Sequence, residues 1–309
     1  MFSASTWRDR RTLVHGCLSV TFNCPIARQS DSVLVVTGFG TSQLGWDLLA
    51  SPWHLNEQLE AFPVPAGAIE LTPSPDPAAS EIDRLTGRLR DTADAVAQAD
   101  RPLMLAGDCL TSLGLVAGLR RRHRDISVIW LDAHGDFNTP AISVSGYLAG
   151  MSLAMLTGRA PELICNQIGL GPVPDEQAIL IDARDLDPQE RDALNASQIR
   201  RVAAHPGTLA AALNERPAGG VYLHLDVDVI DRQDLPGLRF PTDAGPSLSV
   251  VEQCLAQIVA LAPPIATCIA CAWAPDRLAD ESTRRAITRL AGAIGAELRW
   301  PADGAGRGE

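Results

Sequence analysis

Short apolar runs rich in β-branched residues alternate along this chain with longer stretches whose apolar positions repeat every three to four residues. VLVVTG (33–38), PLMLAG (102–107), VIWLD (128–132), AILID (178–182), VYLHLDVDV (221–229) and ATCIACAW (266–273) read as strands. Helix-period segments lie near 80–98, 111–121, 148–157, 208–215, 248–261 and 281–296. The strand runs are continuously apolar rather than alternating, as expected of parallel strands buried on both faces. Strands interleaved with helices make βαβ units. The expected architecture is therefore a three-layer α/β/α fold with a mostly parallel central sheet. One domain is expected over residues 1–300, with a flexible tail at 301–309. The Pro/Ser-rich segment LTPSPDPAAS (71–80) is read as a connection inside that domain, with Ser80 capping the next helix.

Composition narrows the function. Of 309 residues, 46% are hydrophobic and 20% charged, enough for a sizeable core. Lys and Arg number 26 against 37 Asp and Glu, a net charge of −11, which argues against binding a phosphate backbone. No apolar run is long enough to span a membrane, and the N-terminal stretch lacks the pattern of a secretory signal. Seven cysteines at irregular spacing do not form a disulfide framework. Reduced thiols in a cytoplasmic protein are expected.

Three strand ends carry chemistry. The first is AGDCL, with Asp108 and Cys109. The second is LDAHGDFNTP, with Asp132, His134 and Asp136. The third is HLDVDVID, with His224, Asp226, Asp228 and Asp231. In open α/β sheets, ligands bind beyond the carboxyl ends of the strands. Spacing by two puts residues of an extended chain on one face, so both triplets are expected to converge. Clustered carboxylates repel one another and are costly to bury. Divalent metals remove that cost. Carboxylates with some imidazole suit Mn²⁺, with Fe²⁺, Co²⁺, Ni²⁺ or Zn²⁺ as rivals. Cys268 and Cys271 form a CxxC inside an apolar run and read as core. His15, His54, His123 and His205 read as surface or loop residues, and Arg120–Arg124 as a solvated helix end.

DAHGDFNTP, the following SGYLAGM and HLDVDVID together resemble the signature motifs of the ureohydrolase superfamily, which includes arginases, agmatinases and formimidoylglutamases. Those motifs read approximately DAHxDxNTP, SGNxHGM and SxDxDxxDP. ARDLDPQE (183–190) resembles a further family segment, and the likeness runs from about residue 101 to 290. It implies a dinuclear metal centre that hydrolyses a guanidine or amidine C–N bond, with a hydroxide shared by two metals as nucleophile. It puts Asp132 and Asp226 between the metals, His134 and Asp228 on one, and Asp136 on the other. Cys109 stands where the family has a histidine ligand, which favours softer metals than Mn²⁺. Asn138, Ser145, Tyr147, Asp187 and Glu190 fall at positions implied to face an amino-acid-like substrate. A homotrimer or homohexamer is implied as well.

Three departures bear on catalysis. Ala149 stands where the family has a proton-shuttling histidine. Tyr147 stands where it has a substrate-holding asparagine. The turn AWAP (272–275) lacks the glutamate that pairs with a guanidinium. His224 is the expected replacement for the missing imidazole, with Asp136 orienting the nucleophile. The expected function is metal-dependent hydrolysis of a linear amidine or guanidine of a small substrate. An inactive relative serving as a binding or partner subunit, and a mononuclear amidohydrolase, share the same residues.

Overall fold

A computed structural model describes residues 34–37, 69–71, 81–99 and 101–270, with 283, 285–286, 289–290 and 292–294. The AWAP turn, Cys17, Cys24, Cys271, His15, His54, Ser80 and the expected tail lie outside the described residues. The strands are β1 (Leu34–Thr37), β2 (Ile69–Leu71), β3 (Leu103–Ala106), β4 (Ile126–Asp132), β5 (Ala178–Asp182), β6 (Arg200–Val202), β7 (Gly220–Asp226) and β8 (Pro264–Ala270). They form one sheet in the order β2-β1-β3-β8-β7-β4-β5-β6, and every described pairing is parallel. The helices are α1 (Glu81–Ala97), α2 (Thr111–Leu119), α3 (Ser152–Leu156), α4 (Cys165–Ile168), α5 (Pro188–Ala196), α6 (Pro206–Asn214) and α7 (Leu248–Leu261).

The sheet separates two apolar cores. Alternate residues of each strand serve opposite faces. Val128, Trp130, Leu180, Tyr222 and Cys268 join the core under α1–α4. Ile129, Leu131, Ile181, Leu223 and Leu225 join the core under α6 and α7. Every residue of β4 is buried, which is why its sequence is apolar without alternation. This is the expected three-layer architecture.

Two strand–helix boundaries differ from the sequence reading. The run 221–229 ends as a strand at Asp226, and Val227–Val229 turns as a short 3₁₀ segment. The stretch 148–157 divides into a 3₁₀ turn, Ala149–Met151, and the short α3. Strands β2 and β6 and helices α4 and α5 were not expected. Helix α5 is set by local chemistry: Asp187 and Glu190 form a capping box, and Pro188 occupies the first turn. Asp187 N–H donates to Glu190 Oε2 at 3.3 Å.

Helix α2 is buried along its whole length and lies close on α1. Its Gly114 and Gly118 permit that approach. A Cβ at Gly118 would stand 2.5 Å from the Ala93 carbonyl oxygen, and one at Gly114 would stand 2.6 Å from that of Leu89. The contact atoms are backbone, so they cannot swing aside. Helix α2 follows Cys109 directly, so its seating also fixes the loop that carries the thiol. Replacing Gly118 with Ala is expected to lower unfolding free energy by about 1–3 kcal/mol. Urea denaturation checks this, and an unchanged midpoint would mean that the two helices separate at little cost.

Candidate metal centre

The strands end where the chemistry begins. Asp132 is the last residue of β4 and Asp226 the last of β7, and these strands are neighbours. Both aspartates use the same device. Asp132 Oδ1 accepts the His134 N–H at 2.8 Å, and Asp226 Oδ1 accepts the Asp228 N–H at 2.9 Å. Each carboxylate thus turns the chain at its strand end and brings the residue two positions on beside it. The side chains converge through these turns, not through a continued extended strand as the spacing suggested. Asp136 lies in the left-handed region at φ 47°, a conformation aspartate tolerates better than most residues.

Cys109 arrives from the loop after β3, two strands away from β7. The intervening strand β8 ends in Ala270, which pairs with Ala106 on one side and Asp226 on the other. These methyl groups leave room above β8, and the Cys109 thiol lies 3.0 Å from Asp226 Oδ2 and 3.8 Å from Asp132 Oδ2. His134 faces the other side, with Nδ1 3.1 Å from Asp228 Oδ2 and 3.4 Å from Asp132 Oδ1. Two sets of donor atoms result, with Asp132 in both. Cys109, Asp132, His224 and Asp226 each offer an atom within 4.8 Å of the others, as do Asp132, His134 and Asp228. Asp136 belongs to neither close set.

The electrostatics explain why such a cluster calls for cations. Cys109, Asp132, Asp136, Asp226 and Asp228 are all buried. Burial, and then the charges of Asp136, Asp226 and Asp132, push the Cys109 thiol well above its ordinary range. Burial and then Asp132 raise Asp136; burial and then Asp228 raise Asp226. Burial and then Asp132 lift Asp228 to about 6. Burial alone would lower His134, but Asp228 and Asp132 outweigh it and raise that imidazole. One imidazolium does not balance this much buried acid. Among the described residues, Asp136 Oδ2 and His224 Nε2 also lack any hydrogen-bond partner. Carboxylate, thiolate and imidazole donors with spare lone pairs fit a divalent metal centre.

His224 requires a correction. As the expected replacement proton carrier it would have to exchange protons with solvent, yet it is fully buried. Its ring stacks on Trp130 at 3.7 Å, and burial lowers it to about 3 despite the opposing pull of Asp132. Glu190 requires another. It is 3% exposed, and its Oε1 accepts the Phe137 N–H at 2.8 Å while Oε2 serves the capping box. Both oxygens are committed to backbone, so it braces the 133–138 loop instead of meeting a substrate. Gly135 permits that seat, since a Cβ there would lie 2.7 Å from Glu190 Oε1. Asp187 Oδ2 accepts from Asn138 Nδ2 at 3.2 Å, leaving Asn138 Oδ1 without a partner. Ser145 is exposed and accepts the Tyr147 N–H at 3.2 Å. Asp231, at the end of the third motif, holds the Gln233 and Gly245 N–H groups and shapes the following loop.

That loop brings in residues the sequence reading missed. Phe240 lies 5.5 Å from the Tyr147 ring and 6.5 Å from the His134 ring. The Arg239 guanidinium stands 5.7 Å from the Phe240 ring, with a buried Nη1 that has no hydrogen-bond partner among the described residues. The same holds for the buried Tyr147 hydroxyl. Burial, then Asp108, Cys109 and Asp136, raise its pKa, so the phenol keeps its proton. Arg184 ties the loop down through a salt bridge to Asp182 and bonds to the Val229 and Thr242 carbonyls at 3.0 and 3.2 Å. The signal available in sequence was length: the connection from Ile230 to Ser247 is long for a compact domain, and such loops are commonly functional. Ala149 is buried and has nothing with which to carry a proton. Cys268 is buried core, and His205 caps α6 by accepting the Gly207 N–H at 3.1 Å.

Comparison with known proteins follows this geometry. The chain is 35% identical over 176 residues to an arginase of Brevibacillus brevis, covering 53% of this chain and 59% of that relative. The match thus spans little more than half the length of such relatives. An arginase structure from Bacillus cereus superposes with a TM-score of 0.72 at 23% identity, covering 86% of this chain and 97% of the other. A formimidoylglutamase structure from Bacillus subtilis superposes with a TM-score of 0.65 at 14% identity, covering 87% and 88%. Both show a common fold. The sequence model of the Arginase family matches residues 45–294, and the chain belongs to that family.

Proposed function

We propose that the protein is a metal-dependent hydrolase of a linear amidine or guanidine C–N bond in a small amino-acid-like substrate. The observation that carries this reading is the pair of donor sets sharing Asp132 at the ends of β4 and β7. Membership of the Arginase family supports it, since the chain's relatives include proteins named arginase. Cys109, Asp132, His134, Asp226 and Asp228 would hold two divalent ions, with Asp136 beside them. Two bound metals would supply Lewis acidity and an activated water.

The chain's own residues have distinct tasks in this reading. Asp136, whose Oδ2 has no partner among the described residues, orients the attacking water toward a planar carbon, takes one of its protons and passes it to the nitrogen that leaves. Tyr147 retains its proton and donates a hydrogen bond to the nitrogen that leaves. This answers the loss of the family's shuttle at Ala149 with a donor that stabilises without ionising. Arg239 presents an unpaired N–H to the carboxylate of the substrate, and Asn138 its free Oδ1 to an N–H. Phe240 and Tyr147 exclude water on one side.

Four outcomes follow. Metal-loaded protein is expected to release urea, ammonia or formamide from a member of a panel of guanidino and formimidoyl amino acids, and Asp228→Ala to abolish that release while far-UV circular dichroism is unchanged. A fully metallated wild type that turns over nothing in the panel would refute the activity. Tyr147→Phe should lower kcat by about 100-fold at unchanged metal content; an unaltered kcat would remove Tyr147 from the chemistry. Arg239→Ala should raise KM for a carboxylate-bearing substrate by at least about tenfold and leave its decarboxylated analogue unaffected. Finally, metal removal should depend on pH. Asp228 titrates at about 6, above the ordinary carboxylate range, so in metal-free protein its protonation stabilises the fold. That contribution is present at low pH and lost as pH rises through about 6. Metal binding needs the deprotonated groups and improves with pH. The gap in Tm between loaded and chelated protein should therefore widen from about pH 5 to about pH 8, and a constant gap would contradict this linkage.

A further inference from the structure

His224 is the buried group that the proposed chemistry leaves unused, and its surroundings assign it a task. The register of the sheet aligns Trp130, His224 and Cys268 across β4, β7 and β8. The imidazole is held from three directions. Trp130 stacks on its face at 3.7 Å with ring planes 20° apart. Ser112 Oγ lies 2.9 Å from Nδ1, and the Tyr222 hydroxyl donates to that same Ser112 oxygen at 2.7 Å. Nε2 is buried and has no hydrogen-bond partner among the described residues. An imidazole with one nitrogen fixed by a hydroxyl and the other bare is the arrangement of a metal-ligating histidine, in which the second nitrogen is oriented by an outer hydrogen bond.

We infer that His224 is a metal ligand and that the Cys109 side of the centre is a four-donor site made by the Cys109 thiolate, the His224 imidazole and one oxygen each of Asp132 and Asp226. This rests on the reading of the cluster as a metal centre. The four donor atoms lie within 4.8 Å of one another. Atoms bound to one ion at about 2.0–2.3 Å can be at most roughly 4.6 Å apart, so small side-chain adjustments close the site. Asp136, outside this set, is left free to hold water. Trp130 Nε1 donates to Asp132 Oδ2 at 3.2 Å, which fixes a carboxylate that both sites share. The family motif carries no imidazole at 224. In this chain the loop after β3 offers sulfur at 109, and the imidazole comes from β7. A sulfur–nitrogen–dioxygen set selects Zn²⁺ or Co²⁺ over Mn²⁺, whereas the all-oxygen-and-imidazole set of Asp132, His134 and Asp228 does not. The two positions therefore differ in metal preference.

The test uses the full chain stripped by chelator and loaded with cadmium. In a cadmium–proton correlation spectrum, one cadmium resonance should couple both to the Cys109 β-protons and to imidazole protons that disappear in His224→Gln. A cysteine-coupled cadmium without imidazole coupling would overturn the assignment. The same imidazole protons can be assigned in wild-type protein through nuclear Overhauser effects to the stacked Trp130 ring, so the readout stands even where the variant fails to fold. In parallel, His224→Gln should weaken Co²⁺ binding at the thiolate site by at least about 100-fold, and Ser112→Ala by about tenfold. Both are followed by the sulfur-to-cobalt charge-transfer absorption; unchanged affinity in both variants would also overturn it. Cadmium held by Cys109 and His224 in a protein that hydrolyses no amidine would sink the proposed activity while leaving this assignment intact. A chain that binds no cadmium at Cys109 would sink the assignment.

Discussion

Buried negative charge is the constraint around which this molecule is arranged. Four aspartates and a cysteine are gathered where β3, β4 and β7 end, and among the described residues His134 is the imidazole that pairs with these acids. An arrangement of this kind holds together by protonation, which the raised carboxylates and thiol reflect, or by cations. Much of the surrounding structure serves to keep the acids in place. Asp132 and Asp226 cap their own turns, Glu190 pins the loop behind Asp136, and Arg184 fastens the loop that carries Arg239 and Phe240. The parallel sheet makes this possible, since it delivers several strand ends to one edge of the molecule.

The site combines a retained part with a rebuilt part. His134 faces Asp132 and Asp228. On the other side, sulfur enters at Cys109, alanines at the ends of β3 and β8 make room for it, and an imidazole lies beneath at His224. At the entrance, Ala149 has no group to carry a proton, while Tyr147, Phe240 and Arg239 bring a phenol, an aromatic wall and a guanidinium beside it. Under the proposed function such changes would alter which substrate is bound and which metal is held without altering the fold, since fold alone does not name a reaction.

Much of this was legible in the sequence, for physical reasons. Strands β4, β5 and β7 are buried on both faces, so their apolar runs are unbroken and mark them plainly. Strand β6 is short, sits at the sheet edge and exposes Arg200 and Arg201, so it leaves no apolar trace. Helix α5 buries only Glu190 and Leu194, too little for a periodic signal, although its Asp-Pro-x-Glu start was readable as a cap. The acidic motifs announced themselves by composition. Spacing misled on how they converge, because turns beyond the strand ends do the work that a continued strand was expected to do. The surroundings of His224 could not be read at all: Trp130, Ser112 and Tyr222 meet it only through register and helix packing across distant segments.

The central claim is that this cluster is a two-metal centre, and the most direct measurement is metal content per chain. Protein purified without chelator and reconstituted with Zn²⁺, Co²⁺ or Mn²⁺ would be desalted and analysed by elemental mass spectrometry against its sulfur. The account predicts two bound ions per chain, falling to one in Cys109→Ala. One ion or none in the reconstituted wild type would contradict it.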